Sequence, residues 1–210
     1  MFLFKTFTYL FVLFHISSAV AGSYEDFFVA VKRNDGGSVT ELLQRGFDPN
    51  TRDAAGKTAL VLALQEENFA VAEALMARPD LNVNLLNPAG ESALMMAALR
   101  GNLAWCERLL ARGANINKSG WTPLHYAATG PEPKVVKLFL ERGAVVDAES
   151  PDKTTPLMMA ARYGKEESVN LLLAQGADPK RLNDRNMTAA DFARGGGREW
   201  LVQRLSKPGG

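Results

Sequence analysis

The sequence predicts an all-α solenoid: helix-turn-helix units stacked in a row, with loops protruding between them. Three observations predict it. A short segment with Thr or Ser, then Pro or Ala, then an apolar residue returns five times at a spacing near 33 residues. A second marker trails the middle copies as Arg112-Gly113-Ala114, Arg142-Gly143-Ala144 and Gln175-Gly176-Ala177. The composition is that of a folded chain, with 47% hydrophobic and 22% charged residues, so disordered and collagen-like readings fall away. A fixed period of this size marks units that cannot bury an apolar face alone and must stack on their neighbours.

The first element is an address. Lys5 precedes an apolar run from Thr6 to Ile16, and Ser17, Ser18 and Ala19-Val20-Ala21 follow. A charged start, an apolar core of about 11 residues and an Ala-x-Ala end make a cleavable secretory signal over residues 1–21. A membrane span needs about 20 apolar residues, and this core is shorter and carries His15. Cleavage after Ala21 removes Lys5, one of the 24 basic residues, and leaves 23 against 23 acidic ones. No membrane insertion is expected after cleavage, and the expected location is periplasmic or secreted. A neutral chain also has no general electrostatic grip on nucleic acid.

The remainder divides into an N-terminal capping repeat over residues 22–50, four central repeats over 51–180, and a C-terminal capping repeat and tail over 181–210. The Thr/Ser anchors stand at Thr58, Ser92, Thr122, Thr155 and Thr188, so the steps are 34, 30, 33 and 33. Thr followed by Pro is a helix start, because the hydroxyl caps free N–H groups and Pro suits the first turn. Apolar residues then recur at helical spacing, as in Leu124, Ala127 and Ala128, until Gly101, Pro131 or Gly164 breaks the helix. A second helix follows, such as Val135-Val136-Lys137-Leu138-Phe139-Leu140. Gly143 and Gly176 then stand where a helix end favours a left-handed residue.

Gly120-Trp121-Thr122-Pro123-Leu124-His125-Tyr126-Ala127-Ala128 and Asn170-Leu171-Leu172-Leu173-Ala174-Gln175-Gly176-Ala177-Asp178 make this pattern similar to that of the ankyrin repeat family. The resemblance runs over about residues 24–205. It implies paired helices with an extended loop, no catalysis, and a protein partner held on a concave face of loops and first helices. The departures carry information. Only His125 fills the histidine position of the Thr-Pro-Leu-His motif, where Val61, Met95, Met158 and Asp191 stand in the other copies. The step of 30 predicts one short loop near Asn117–Gly120. Glu67 replaces a turn glycine, and Arg194 and Arg204 suit an end repeat with one face in water.

Chemistry is sparse. The resemblance gives His125 a local hydrogen-bonding role that steadies the turn, and it is the only histidine after the leader. One cysteine allows no internal disulfide, and Cys106 with two histidines builds no zinc site. Cys106 reads as a buried small side chain between the helices. Glu66-Glu67 and Glu166-Glu167 lie near inter-helix turns, where solvated acids are common. Gly195-Gly196-Gly197 lacks the Lys-Ser/Thr of a phosphate loop and reads as a turn. Leu62, Met96, Tyr126, Met159 and Phe192 are read as core between layers, since the family places Leu there. No catalytic residue, cofactor or metal is expected.

Mapped onto this chain, the family's variable positions give Leu99, Arg100, Trp121, Arg162, Tyr163 and Met187 as the partner-binding residues. Aromatics and arginines dominate interface energetics when buried centrally, at about 2 kcal/mol or more each; packing of Trp121 on a neighbouring loop stem is the competing explanation. The expected function is a non-catalytic protein-binding module, exported to the periplasm, that inhibits, protects or stabilises an extracytoplasmic protein. The alternative is a secreted effector or adaptor acting on host proteins. The free chain is expected to be a monomer, and no nucleic-acid partner is expected.

Overall fold

The computed structural model describes residues 22–206, with twelve helices and no strand among them. The leader reading therefore lies outside the described residues. The chain divides into two compact units, one ending at Asn82 and the other starting at Val83.

The first unit holds α1 (22–32), α2 (Gly36–Gln44), α3 (Ala59–Gln65) and α4 (Phe69–Met76). Helix α4 packs on both α2 and α3. Phe27 stacks on Phe47 at 4.4 Å between ring centroids and meets Phe28 edge-on, which fills the start of this unit with aromatic carbon. Glu67 adopts a φ of 59°, the left-handed conformation of the turn glycine it replaces.

The second unit holds α5 (Ala93–Leu99), α6 (Leu103–Ala111), α7 (Pro123–Thr129), α8 (Pro133–Glu141), α9 (Pro156–Tyr163), α10 (Glu166–Ala174), α11 (Ala189–Gly195) and α12 (Glu199–Leu205). First helices α5, α7, α9 and α11 pack each on the next, α8 packs on α6 and α10, and α12 packs on α11. Helices of seven to nine residues are too short to persist alone. Their stability comes from burial of Leu94, Leu124, Leu157, Leu109, Phe139 and Leu172, each at most 1% exposed. The buried pairs Ala97-Ala98, Ala127-Ala128 and Ala160-Ala161 let the first helices approach closely. The approach is tight enough that a Cβ on Gly130 would stand 2.7 Å from the Ala98 carbonyl oxygen, and one on Gly164 would run into that of Ala128.

Start signals hold the first helices by a shared device. In α5, α7, α9 and α11 the residue three places after the cap receives the cap's own backbone N–H. His125 Nδ1 accepts from Thr122 at 3.1 Å, Met95 Sδ from Ser92 at 3.2 Å, Met158 Sδ from Thr155 at 3.4 Å and Asp191 Oδ2 from Thr188 at 2.9 Å. Three of the four replacements of histidine, Met95, Met158 and Asp191, thus keep an acceptor there and complete a reciprocal cap, whereas Val61 offers none and α3 keeps only the Thr58 hydroxyl bond. Second helices end as the glycines predict. Gly113, Gly143 and Gly176 have φ of 82°, 83° and 87°. The N–H groups of Ala114, Ala144 and Ala177 turn back onto Leu109, Phe139 and Leu172 at 2.9 to 3.0 Å.

Side-chain amides then tie one layer's loop to the next. Asn84 Nδ2 donates to Gly113 O at 2.9 Å while its Oδ1 accepts from Asn115 N at 2.7 Å. Asn117 repeats the pair of bonds with Gly143 O at 2.9 Å and Val145 N at 3.0 Å. Asp147 accepts from Asp178 N at 3.2 Å. Beyond each of these residues the chain makes a finger. In 87–91, 150–154 and 183–187 the ends join through Asn87 N to Glu91 O at 2.9 Å, Ser150 N to Thr154 O at 3.0 Å and Asn183 N to Met187 O at 3.1 Å. Between Asn117 and Thr122 the finger is shortened, as the step of 30 predicts, and Lys118 Nζ braces it by donating to Ser119 O and Trp121 O at 2.7 and 3.1 Å.

Candidate functional site

Helix α7 carries two faces at once. Leu124, Ala127 and Ala128 go into the stack, while Tyr126 and Thr129 stay half-buried on the first-helix side. The short finger brings Trp121 to the same side, directly before the Thr122 cap. Leu99 from the end of α5 and Met159 from α9 complete an open recess of about 260 Å³, floored by His125. Its walls are almost wholly carbon.

The expectation that Leu62, Tyr126 and Met159 are core is corrected here: all three are half-buried, and Tyr126 and Met159 line the recess. Side-chain size alone does not decide it, since Met96 is buried at the same register and Leu62 is not. Met96 at 3% and Phe192 at 4% exposure are core as expected. The clue available in sequence was a phenol at an inward position, because a buried Tyr hydroxyl needs a partner. It finds one in Glu91 Oε1 at 2.7 Å, and Asn87 Nδ2 holds the other Glu91 oxygen at 2.7 Å. Burial and then the Glu91 carboxylate raise the Tyr126 hydroxyl above its ordinary range, so it remains a donor.

The sequence-derived binding residues separate into three places. Leu99 and Trp121 share the recess. Trp121 also meets His125 edge-on at 5.1 Å, so the packing explanation for it accounts for part of its surface. Arg162 and Tyr163 form a stack at the end of α9, with the guanidinium 5.2 Å from the ring centroid and Tyr163 57% exposed. The Arg162 guanidinium lies against Gly195 of α11. Arg100 is the exposed cap residue of α5, and half-buried Met187 ends the last finger.

His125 is fully engaged. Its Nδ1 faces Thr122, and its Nε2 donates to Thr154 O at 2.9 Å, joining α7 to the following loop. Burial holds its pKa down to about 4, against the opposing effect of the Thr154 carbonyl. A neutral imidazole with both nitrogens committed holds structure and has no free nitrogen for proton transfer. Burial, with Glu107 nearby, pushes the buried Cys106 thiol up to about 12, away from thiolate chemistry. Among the described residues, no helix is long and apolar enough to cross a membrane. No group of three or more His, Cys, Asp or Glu residues among them could hold a metal ion.

The family model described as "Ankyrin repeats (3 copies)" matches residues 27–119, 77–150, 113–183 and 133–209. The chain belongs to the ankyrin repeat family. Among similar ankyrin-containing proteins, a probable E3 ubiquitin-protein ligase of Oryza sativa subsp. japonica is 41% identical over 43% of this chain and 18% of its own length. Human transient receptor potential cation channel subfamily A member 1 is 29% identical over 80% of this chain and 16% of its own. Mouse protein phosphatase 1 regulatory subunit 12A is 40% identical over 36% of this chain and 7% of its own. The chain therefore spans less than a fifth of each of these relatives. What it shares with them is the repeat array, and ankyrin repeats are protein-binding modules, typically without catalysis.

Proposed function

We propose that this ankyrin repeat chain is a non-catalytic binding module that is exported to the periplasm. There it grips an extracytoplasmic protein through the first-helix and finger face of α5, α7 and α9. The observation that carries the reading is the recess itself: Trp121, Tyr126, Leu99 and Met159 gather half-exposed carbon around one opening, where a water-facing surface has no use for it. The engaged His125 and the buried Cys106 thiol support a role in contact rather than turnover. The signal pattern over residues 1–21 supports export. Binding there would inhibit, protect or stabilise the partner. Fractionation of the native cells, with mapping of the mature N-terminus, tests export. A mature protein starting at Gly22 in the periplasmic fraction is expected, and an uncleaved chain in the cytosol contradicts it.

A further inference from the structure

Glu91 holds the hydroxyl of Tyr126, which lines the recess. It is half-buried, and its two oxygens accept only from neutral groups, the Tyr126 hydroxyl and the Asn87 amide, each at 2.7 Å. No cation pairs with it among the described residues. Lys118 and Arg162 are committed elsewhere: Lys118 Nζ donates to two backbone carbonyls, and the Arg162 guanidinium lies against Gly195 beside the Tyr163 ring. The floor adds no positive charge, because His125 stays neutral at physiological pH. The walls supply two electron-rich rings, Trp121 and Tyr126, together with the aliphatic Leu99 and the thioether of Met159. Aromatic faces attract cations, and a half-buried carboxylate with neutral partners attracts them further. A long basic side chain matches both features, since its methylenes lie along carbon while its head stays at the wet rim.

We propose that the recess receives a lysine or arginine side chain of the protein partner, its stem between Trp121, Leu99 and Met159 and its head turned toward Glu91. The inference rests on the reading that this face is the binding surface, and it names the chemistry recognised there. Blocked tripeptides with Arg, Lys, Leu or Glu between two glycines, titrated into the full chain at low salt, test it. The readouts are the NMR signals of the Met159 methyl and the Trp121 indole. The Arg and Lys peptides saturate these signals at a concentration about fivefold below the Leu peptide, the ratio given by a cation–π contact of about 1 kcal/mol. Glu91→Gln abolishes that preference with an unchanged melting temperature. Glu107→Gln, on the exposed side of α6, preserves it.

Equal or tighter binding of the Leu peptide overturns the proposal and leaves an apolar anchor on the same face. Tightest binding of the Glu peptide overturns it in favour of an acidic partner. Silence of both signals with all four peptides also overturns it. The binding-face reading fails separately, if Trp121→Ala leaves capture of the native partner unchanged whichever peptide binds best.

Discussion

The third and fourth central repeats are built on one plan with opposite finishing. The third has a finger shortened between Asn117 and Thr122, Trp121 before its cap and His125 at the acceptor position. The fourth has a full finger from Ser150 to Thr154, Thr154 buried before its cap and Met158 Sδ as acceptor. Where the finger is complete, small polar side chains satisfy one another: Ser150 Oγ accepts from Thr154 N at 2.9 Å and donates to Asp152 at 2.6 Å. Where it is short, aromatic carbon reaches the surface and the recess opens. Helix pairs thus set the stack, and loop length sets what the stack shows to a partner. The two repeats are joined by the His125 Nε2 bond to Thr154 O at 2.9 Å.

Burial of the imidazole that makes this bond gives the largest expected effect. His125 falls from an ordinary value of 6.5 to about 4 in the fold. Its neutral form is favoured by folding, so the stabilisation is complete above pH 6.5 and is lost as pH falls toward 4. The loss over that window is roughly 3 kcal/mol. Urea unfolding across the window shows it in the parent chain, and His125→Gln, which does not titrate, flattens it. The methionine of the fourth repeat contributes no such slope. A parent profile as flat as the variant's breaks the contrast between the two acceptors.

The tight approach of the first helices comes next. Gly164→Ala forces a Cβ against the Ala128 carbonyl, while Gly130→Ala meets the Ala98 carbonyl at 2.7 Å. Overpacking against backbone costs about 1 to 3 kcal/mol, and calorimetry is expected to place Gly164→Ala at the upper end and Gly130→Ala below it. Both glycines have ordinary negative φ, −78° and −69°, so crowding between repeats is the cause and not backbone conformation.

A smaller effect has the opposite sign. Ser168 is fully buried in α10 and its hydroxyl has no partner among the described residues, whereas the third repeat carries Val135 at the equivalent place. Ser168→Val copies the third repeat into the fourth and is expected to stabilise by about 1 kcal/mol in urea unfolding. A loss of stability would mean that the hydroxyl has a use the packing does not reveal.

The smallest effect concerns the loop ties. Asn117 donates to Gly143 O at 2.9 Å, but a carboxylate at Asp147 cannot donate to the next carbonyl in the series. Burial raises the Asp147 pKa above 3.8, opposed by its bond from the Asp178 N–H. A raised folded pKa means that Asp147 contributes fully only below about 3.8 and loses that contribution as pH rises through the folded value. Asp147→Asn is expected to add about 0.5 to 1 kcal/mol near neutrality and nothing in acid, read from paired unfolding curves at both pH values.

The repeat plan was legible because it rests on local chemistry. Thr-Pro at a helix start and Gly after a helix end each act within a turn, so Thr155-Pro156 and Gly176 announce themselves without tertiary context. The shortened finger was legible as a missing count of residues. The recess was only half legible. Leu99 and Trp121 stand at variable positions and could be named, but Tyr126 and Met159 occupy positions the repeat usually buries. Their exposure depends on contacts between repeats, which one unit's sequence does not display. Glu91 also stands at a variable position, but its bond to Tyr126 crosses 35 residues and leaves no mark in the sequence. The bridging roles of Asn84 and Asn117 also belong to contacts between layers and leave no mark within one unit.

The most direct test of the account is capture of the native partner from the exported fraction, comparing the parent chain with Trp121→Ala/Tyr126→Ala and with Trp200→Ala. Trp200 is 48% exposed on α12, does not line the recess, and serves as a control for loss of any surface aromatic. Recovery of the partner is expected to fall at least about tenfold for the double variant, the factor that 1.4 kcal/mol represents, and to stay unchanged for Trp200→Ala. Undiminished recovery with the double variant, or loss with Trp200→Ala alone, contradicts the account.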